Sequence, residues 1–507
     1  MRRTWMGIIV VAAAVLFGLL LFPGSGYCID KYFSGSRALG MAGSNVASAK
    51  DNAAQFYNPA AFGFFGRGGP EGEGKTNKRV KSKSQLREDN NNLGGNSWRI
   101  QAASGVGVRL HEDLPQLLDD LSSIKYKDIS AAGVSSQSAL QNLVDFSDIL
   151  SKLDDPGNAV TMDSNGGMSF GLGHFAIGGY YSLQANARVT EVDKTNLGLN
   201  YFGANLSADI VANAPGDGPR QIISNAQRDQ LFNVGFSDAA IESIDLAARN
   251  VGLTAEQTQR AVNLLEKIGV ATDAIPGTLA NNTTSAELRG FGMAEVPLSY
   301  GWALNDNLSV GGNIKAMVGR VYASQVLVFD TESGEVLNDI TNDYAESTTF
   351  GVDLGVLYRI KMWQAGLVCR NANSPKFDGP TIRGRTYEDV TIDPGLTAGL
   401  AFIPFERLTL ETDYDLTKNE TAYPGYDTQY LSFGAEWMLL DFLALRAGMY
   451  GNQAESDIGW MYTAGLGMSL WGVRFDLAGA MAAETAEFDG QKYPVEARAM
   501  AQLSFGF

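Results

Sequence analysis

Residues 493–507 read YPVEARAMAQLSFGF. Taken every second residue back from the end, one face is Phe507, Phe505, Leu503, Ala501, Ala499, Ala497 and Val495. The other face is Gly506, Ser504, Gln502, Met500, Arg498 and Glu496. A period of two sends alternate side chains to opposite faces of a strand. One face suits lipid and the other suits water.

The same alternation recurs upstream. In 407–416, Leu408, Leu410, Thr412, Tyr414 and Leu416 oppose Arg407, Glu411, Asp413 and Asp415. In 473–477, Val473, Phe475 and Leu477 oppose Arg474 and Asp476. In 350–360, Phe350, Val352, Leu354, Val356, Tyr358 and Ile360 oppose Asp353 and Arg359. An Arg or Lys facing lipid at mid-depth costs ~2–4 kcal/mol, so these charges are expected to face a lumen. The lumen-facing candidates are Arg99, Glu295, Lys315, Asp353, Arg359, Glu411, Asp413, Glu436, Arg446, Arg474, Asp476, Glu496 and Arg498. They read either as a salt-bridged wall holding a plug or as a polar substrate path.

Fourteen candidate strands follow from this pattern: 98–108, 167–173, 175–190, 291–303, 307–328, 345–360, 362–370, 394–403, 407–418, 428–438, 442–450, 458–470, 472–482 and 494–507. An even number suits a closed antiparallel barrel with no exposed edge. The connections alternate strictly between long and short, as expected for short periplasmic turns and long external loops. Trp98, Trp302, Trp363, Trp437 and Trp471 fall at the short-turn ends of strands, and Trp460 lies near a long-loop end. Aromatic rings of this kind anchor a barrel at the membrane–water boundary.

Composition agrees with this fold class. The chain is 45% hydrophobic and carries 58 glycines, a profile of apolar residues diluted by alternation. The formal net charge of −17 argues against general nucleic-acid binding. Residues 1–28 read as a signal peptide: Arg2 and Arg3 precede an apolar stretch from Gly7 to Phe22, then Pro23 and Gly24. Cleavage is expected after Cys28, which would leave Cys369 as the one thiol.

The two largest loops, 109–166 and 191–290, carry helical signals. Ser138-Ala-Leu-Gln141 fits a capping box before Leu140, Leu143, Val144, Ile149 and Leu150 at helical spacing. A helical hairpin is expected over 237–269, with Thr254-Ala-Glu-Gln257 as a second capping box before Val262, Leu265 and Ile268. These helices fit an external cap over the pore or a partner-docking module, and the sequence does not separate the two. Residues 67–97 are rich in Gly, Lys, Ser and Asn and read as a mobile polar loop.

Catalytic, cofactor and metal chemistry has little to stand on. His111 and His174 are the two histidines, and no zinc-like cluster or Cys/His nucleophile pair can be assembled from the sequence. No enzyme activity and no cofactor are expected. Carboxylate pairs such as Glu411 and Asp413 are better explained by wall salt bridges.

Residues 34–66 carry the remaining signal. They run Arg37-Ala-Leu-Gly40-Met-Ala-Gly43, then Ala47 to Ala49, Asp51 to Phe56, and Asn58-Pro59-Ala60. Small residues suit a segment packed inside a barrel, and Pro59 biases Asn58 toward extended geometry. This pattern resembles the FadL superfamily of outer-membrane β-barrels, as does the stretch 391–415. The acidic, Leu-rich stretch from Glu112 to Asp155 is most similar to the plasmid-transfer, TraF-like branch. The terminal Phe507 also resembles the aromatic signal that outer-membrane barrels present to the assembly machinery.

The resemblance implies an all-β membrane protein, a 14-stranded antiparallel outer-membrane barrel with an N-terminal hatch and partly helical external loops. Residues 29–97 would be the hatch with its polar loop, and 98–507 the barrel. Asn58, Pro59 and Ala60 would be the hatch motif. The function implied is passive uptake of a small hydrophobic compound such as a fatty acid. The alternative is a non-transporting scaffold for conjugation or secretion. Expected partners are outer-membrane lipid, a hydrophobic small molecule, the barrel assembly machinery and an envelope protein met through the external loops.

Overall fold

The computed structural model describes residues 30, 32–65, 98–111, 114–123, 134–153, 155, 157–193, 196, 203–270, 282–327, 344–382, 384–421, 426–456, 458–488 and 491–506. The expected signal peptide, the polar stretch 67–97 and Phe507 lie outside the described residues.

Fourteen antiparallel strands close into one barrel. They are β1 (Trp98–Leu110), β2 (Ala159–Leu172), β3 (Phe175–Glu191), β4 (Ser285–Ala303), β5 (Leu308–Leu327), β6 (Tyr344–Ile360) and β7 (Trp363–Arg370). After them come β8 (Gly395–Phe405), β9 (Leu408–Asp415), β10 (Tyr430–Leu440), β11 (Leu443–Asn452), β12 (Trp460–Leu470), β13 (Val473–Ala482) and β14 (Glu496–Gly506). Each strand pairs with its sequence neighbour, and the ring shuts where β1 pairs with β14, from Arg99 opposite Gly506 to Arg109 opposite Glu496. Full closure leaves no unpaired edge.

Alternation sets which face is which. Along β14 every even-numbered residue from Glu496 to Gly506 is buried toward the lumen, while Ala499, Ala501 and Leu503 are exposed on the outside. The outer surface is a continuous belt of large apolar groups, including Ile314, Phe350, Leu354, Phe433 and Leu466. Its boundary carries Trp302, Trp363 and Trp437 on the surface, with Trp471 93% exposed. Trp471 and Gly472 take φ of 50° and 84° in a two-residue turn. Such primed turns match the twist of the flanking strands and push the first side chain out. Among the described residues no helix is long and apolar enough to cross a membrane; the strands supply the span.

Strand bounds differ most from the sequence reading at two places. β2 begins at Ala159, not 167, and β4 begins at Ser285, not 291. These extensions lie on the long-loop side. On β2 the outward positions just before Met168 are Ser164 and Gly166, which interrupt the run of large apolar groups. As a result β3 to β6 form a taller wall than β7 and β9, which have 8 residues each.

Two further bodies complete the fold. A plug of residues 30 and 32–65 sits in the lumen, with the short helices α1 (Ser36–Gly40) and α2 (Ala54–Tyr57) and a 3-10 turn at Pro59–Phe64. A helical cap stands on the long-loop side: α3 (Leu114–Ser123), α4 (Gln137–Lys152), α5 (Gly203–Asn213), α6 (Asn225–Asn233), α7 (Asp238–Val251) and α8 (Ala255–Val270). The cap has its own apolar core, in which Leu140, Leu143, Val144, Ile149, Leu150, Val262 and Leu265 are all buried. The expected hairpin is α7 and α8, and the Thr254/Gln257 capping box forms in both directions. The cap of α4 is Ser136, not Ser138: its hydroxyl accepts the Ala139 amide, so the helix starts one residue later, at Gln137. A capping box at Ser224 and Gln227 was not anticipated.

Candidate functional site

The plug and the wall around it form the candidate site. All thirteen charged candidates read from the sequence are buried on the inner face of the wall. They fall into groups that grip different parts of the plug.

At the long-loop end Asp30 sits between Arg109 (2.8 Å) and the hydroxyl of Tyr430 (3.0 Å). Arg109 also pairs with Glu496 (2.8 Å), Glu496 with Arg498 (2.6 Å), and Arg498 with Asp163 (2.9 Å). Arg109 and Asp163 continue the inward positions of β1 and β2, so the alternation that identified Arg99 could have found Arg109 as well.

Midway down, Arg37 on α1 donates to both carboxylate oxygens of Glu436, from Nε (3.0 Å) and Nη2 (3.2 Å). It also bonds Asn45 and Ser48 within the plug. Glu436 in turn receives Lys50 (3.1 Å) and Arg446 (2.8 Å). Arg446 then meets Asp476 (2.8 Å), which Arg474 also holds. Burial opposes the Arg37 charge, but Glu436 and neighbouring carboxylates outweigh it and raise its pKa. For Lys50 burial wins: it pulls the ammonium below its ordinary range although Glu436 pulls the other way.

Glu411 and Asp413 do something the sequence reading missed. Each clamps two successive plug amides. Asp413 Oδ2 accepts from the N–H of Asn45 (2.8 Å) and Val46 (3.0 Å). Glu411 Oε1 accepts from Ala47 (2.6 Å) and Ser48 (3.2 Å), and Glu411 also takes the Ser48 hydroxyl. Buried amides need acceptors, and this plug segment makes no ladder of its own.

Another group lies on β4 to β6. Lys315 bridges Glu295 (3.3 Å) and Asp353 (3.1 Å), and Tyr32 donates to Glu295 (3.1 Å). Asn313 donates to the Gln55 carbonyl (2.6 Å) and to Asp353 (2.8 Å). Gln55 reaches the wall carbonyl of Pro297 (3.3 Å), where β3 and β4 miss two ladder pairs.

The hatch motif seals the short-turn end. Asn58 is extended (φ −164°, ψ 102°), and its side chain caps the following turn by accepting the Ala60 amide (3.1 Å). Its Nδ2 donates to the plug carbonyl of Val46 (3.0 Å) and to the wall carbonyl of Val356 (3.1 Å). Pro59 and Ala60 press into a hollow made by Gly301, Gly311 and Gly355, which face one another across three strands. A Cβ on Gly311 would lie 2.5 Å from the Pro59 carbonyl. Ser309 holds the Ala60 carbonyl (2.7 Å) and His174 the Phe62 carbonyl (2.7 Å). Arg359 stacks on Phe64 (3.7 Å) and Arg99 on Phe65 (4.7 Å). Arg99 also donates to Asn52 (3.0 Å). The glycine row was not singled out from the sequence, because nothing in one strand shows that its neighbours place glycine in register.

Between the plug and the loop end lies a cavity of about 80 Å³ bordered by Tyr32, Phe56, Glu295, Lys315, Arg370 and Asp415. A space of this size holds a few waters. Above it the inner wall turns apolar, at Phe291 and Met293 on β4 and Met317 and Val321 on β5. Among the described residues no group of acidic, His or Cys side chains is arranged to hold a metal ion.

Known proteins give the following matches. A family model described as F plasmid transfer operon, TraF, protein matches residues 85–415. No curated protein matches the chain. Among solved structures, the toluene transporter TbuX of Ralstonia pickettii is 11% identical, covering 93% of this chain and 98% of its own, with a TM-score of 0.44. The toluene transporter TodX of Pseudomonas putida is 10% identical, with coverage of 94% and 98% and a TM-score of 0.42. A Pseudomonas aeruginosa FadL homologue is 11% identical, with coverage of 95% and 100% and a TM-score of 0.40.

Proposed function

The chain belongs to the family of the F plasmid transfer operon protein TraF, and from that premise we propose that it is a plugged outer-membrane channel for a small hydrophobic compound. The observation that carries this reading is the apolar stretch of inner wall at Phe291, Met293, Met317 and Val321. It lies at the loop-end mouth and is roofed by a loop, not by the plug. A wall that served only to hold the plug would have no use for it. Barrel width supports the same reading. Eight strands can be filled by their own side chains, whereas wider barrels need a separate filling. Fourteen strands with a thirty-odd-residue plug therefore make more lumen than membrane anchoring requires.

In this reading the ligand enters from the loop side, rests on the apolar wall, and passes when the plug shifts. The Asn58 bonds to Val46 and Val356 tie the plug to itself and to the wall, which gives Asn58 a gating role. The test is accumulation of radiolabelled toluene and radiolabelled oleate by cells making wild type, Asn58→Ala or no protein. Uptake by wild type above the empty cells, reduced by Asn58→Ala with barrel still in the membrane, supports the reading. Equal uptake in all three overturns it, and the two labels separate a hydrocarbon from a fatty acid.

A second reading is a scaffold in the cell envelope, and one observation favours it. The plug is locked to the wall by buried ion pairs over most of its length, while the helical cap has an independent core suited to docking a protein. Site-directed cross-linking from Val211 or Phe232 on the cap surface to a transfer protein would support it. Wild-type transfer after deletion of residues 203–270 would count against it.

A further inference from the structure

The connection between β7 and β8 folds back into the mouth of the barrel. Its residues Lys376–Phe377 pair with Val390–Thr391 as a two-residue ribbon. Phe377 is fully buried, although it belongs to a loop. Its ring lies against Phe291, with centroids 5.3 Å apart and planes at 63°. Beneath it is Gly319 on β5, at an inward position where the wall has no side chain. A Cβ built on Gly319 would run into the Phe377 ring. Gly319 sits opposite Met293 across the ladder, and Val321 sits opposite Phe291. The wall therefore contains a hollow the size of one ring, floored by glycine and rimmed by Phe291, Met293, Met317 and Val321.

A wall needing only to be filled would carry a side chain at 319. Here the filling comes from a loop, which also buries Tyr387, Val390 and Ile392 in the same cluster, while the polar fastenings beside Phe377 are exposed. Lys376 and Asp389 pair at 2.7 Å with both side chains exposed, and Asp378 bonds Ser347 at the surface. Exposed pairs of this kind contribute little. The hollow also leads onward. Met293 and Ile392 belong both to this apolar cluster and to the lining of the cavity beside Tyr32 and Phe56 of the plug. Moving Phe377 aside joins the hollow to the space above the plug.

We propose that the hollow over Gly319 is a binding site for an apolar molecule of about one six-membered ring, and that Phe377 occupies it in the resting state, so that ligand and loop exclude one another. The proposal rests on the uptake reading and names the site, the ligand size and the group that guards it. Apolar cavities of ring size stay dry and take up such molecules readily.

The test uses the full-length protein in nanodiscs, with fluorobenzene as the probe, read by ¹⁹F saturation transfer. Phe377→Ala is expected to bind at least tenfold more tightly than wild type. Adding Gly319→Leu to Phe377→Ala fills the hollow from the wall and is expected to abolish the gain. Equal affinity in wild type and Phe377→Ala, or a gain that survives Gly319→Leu, overturns the site. If Phe377→Ala fails to assemble, Phe377→Val is scored the same way with a smaller expected gain. Toluene uptake in cells separates the two ideas. Uptake by wild type without any binding gain in the variant removes the site and leaves the channel. A binding gain without uptake by any variant removes the channel and leaves the site.

Discussion

Replacing Glu436 by Gln is expected to loosen the plug while leaving the barrel intact. Glu436 is 3% exposed and meets Arg37 at 3.0 Å, Lys50 at 3.1 Å and Arg446 at 2.8 Å. Two of these cations belong to the plug and one to the wall. Removing one partner of a buried ion pair costs ~3–5 kcal/mol, because the other charge stays buried without it. Arg37 keeps Asn45 and Ser48, and Lys50 keeps Thr409 at 3.3 Å, so the lower end of that range is the better estimate. Three kcal/mol corresponds to ~100-fold in the population with this part of the plug undocked. Hydrogen exchange reads that population directly. The amides of Asn45 to Ser48, held by Asp413 and Glu411, should exchange ~100-fold faster in Glu436→Gln, and the amides of β10 and β11 should not change. Arg407→Gln, which breaks an exposed turn pair with Asp441, serves as a control with no expected effect. Unchanged exchange at 45–48, or equal acceleration of plug and wall, would refute the reasoning.

Four other outcomes follow from the same contacts. Gly311→Ala places a methyl group 2.5 Å from the Pro59 carbonyl, and should raise the ion conductance of the barrel in planar bilayers by displacing the motif at the short-turn end. Leu466→Arg, on the lipid face of β12, should cost ~2–4 kcal/mol and lower the heat-modifiable, folded fraction on a gel, whereas Val211→Arg on the cap should change neither. Because the Lys50 pKa is lowered when docked, the docked plug binds fewer protons than the free plug in the window below the ordinary lysine value; docking should tighten as pH rises through that window, seen as slower plug exchange after correction for intrinsic rates. Asp145 has the opposite sense. Burial and then Asp120 and Asp148 raise its pKa, so Asp145→Asn should stabilise the cap at neutral pH by less than ~1 kcal/mol, with the gain lost as pH falls through the carboxylate range.

The barrel was legible because lipid imposes a rule on every strand that crosses it. Leu410, Leu445 and Leu503 must face out, so Glu411, Arg446 and Ser504 must face in, and the count of fourteen follows from the repeats. The reading failed where that rule lapses. Ser164 and Gly166 interrupt the outward apolar pattern, and the start of β2 is not legible beyond them. Which inward charges meet was not legible either. Arg37 and Glu436 are separated by 399 positions, and nothing local marks them as partners. The Glu411 and Asp413 clamp was not legible for a related reason: its partners are backbone amides, which every sequence has and none displays. The hollow at Gly319 depends on a loop side chain arriving from 58 residues away, a coincidence visible only in three dimensions.

The path of the plug gives the molecule a mechanical direction. Asp30 is anchored near the loop end and Phe65 near the short turns, where residues 66–97 lead back to Trp98. Tension applied at Phe65 would peel the fastenings in sequence: the rings under Arg359 and Arg99 first, then the amide clamps, then Arg37, and Asp30 last. Contacts broken one at a time yield to far less force than contacts sheared together.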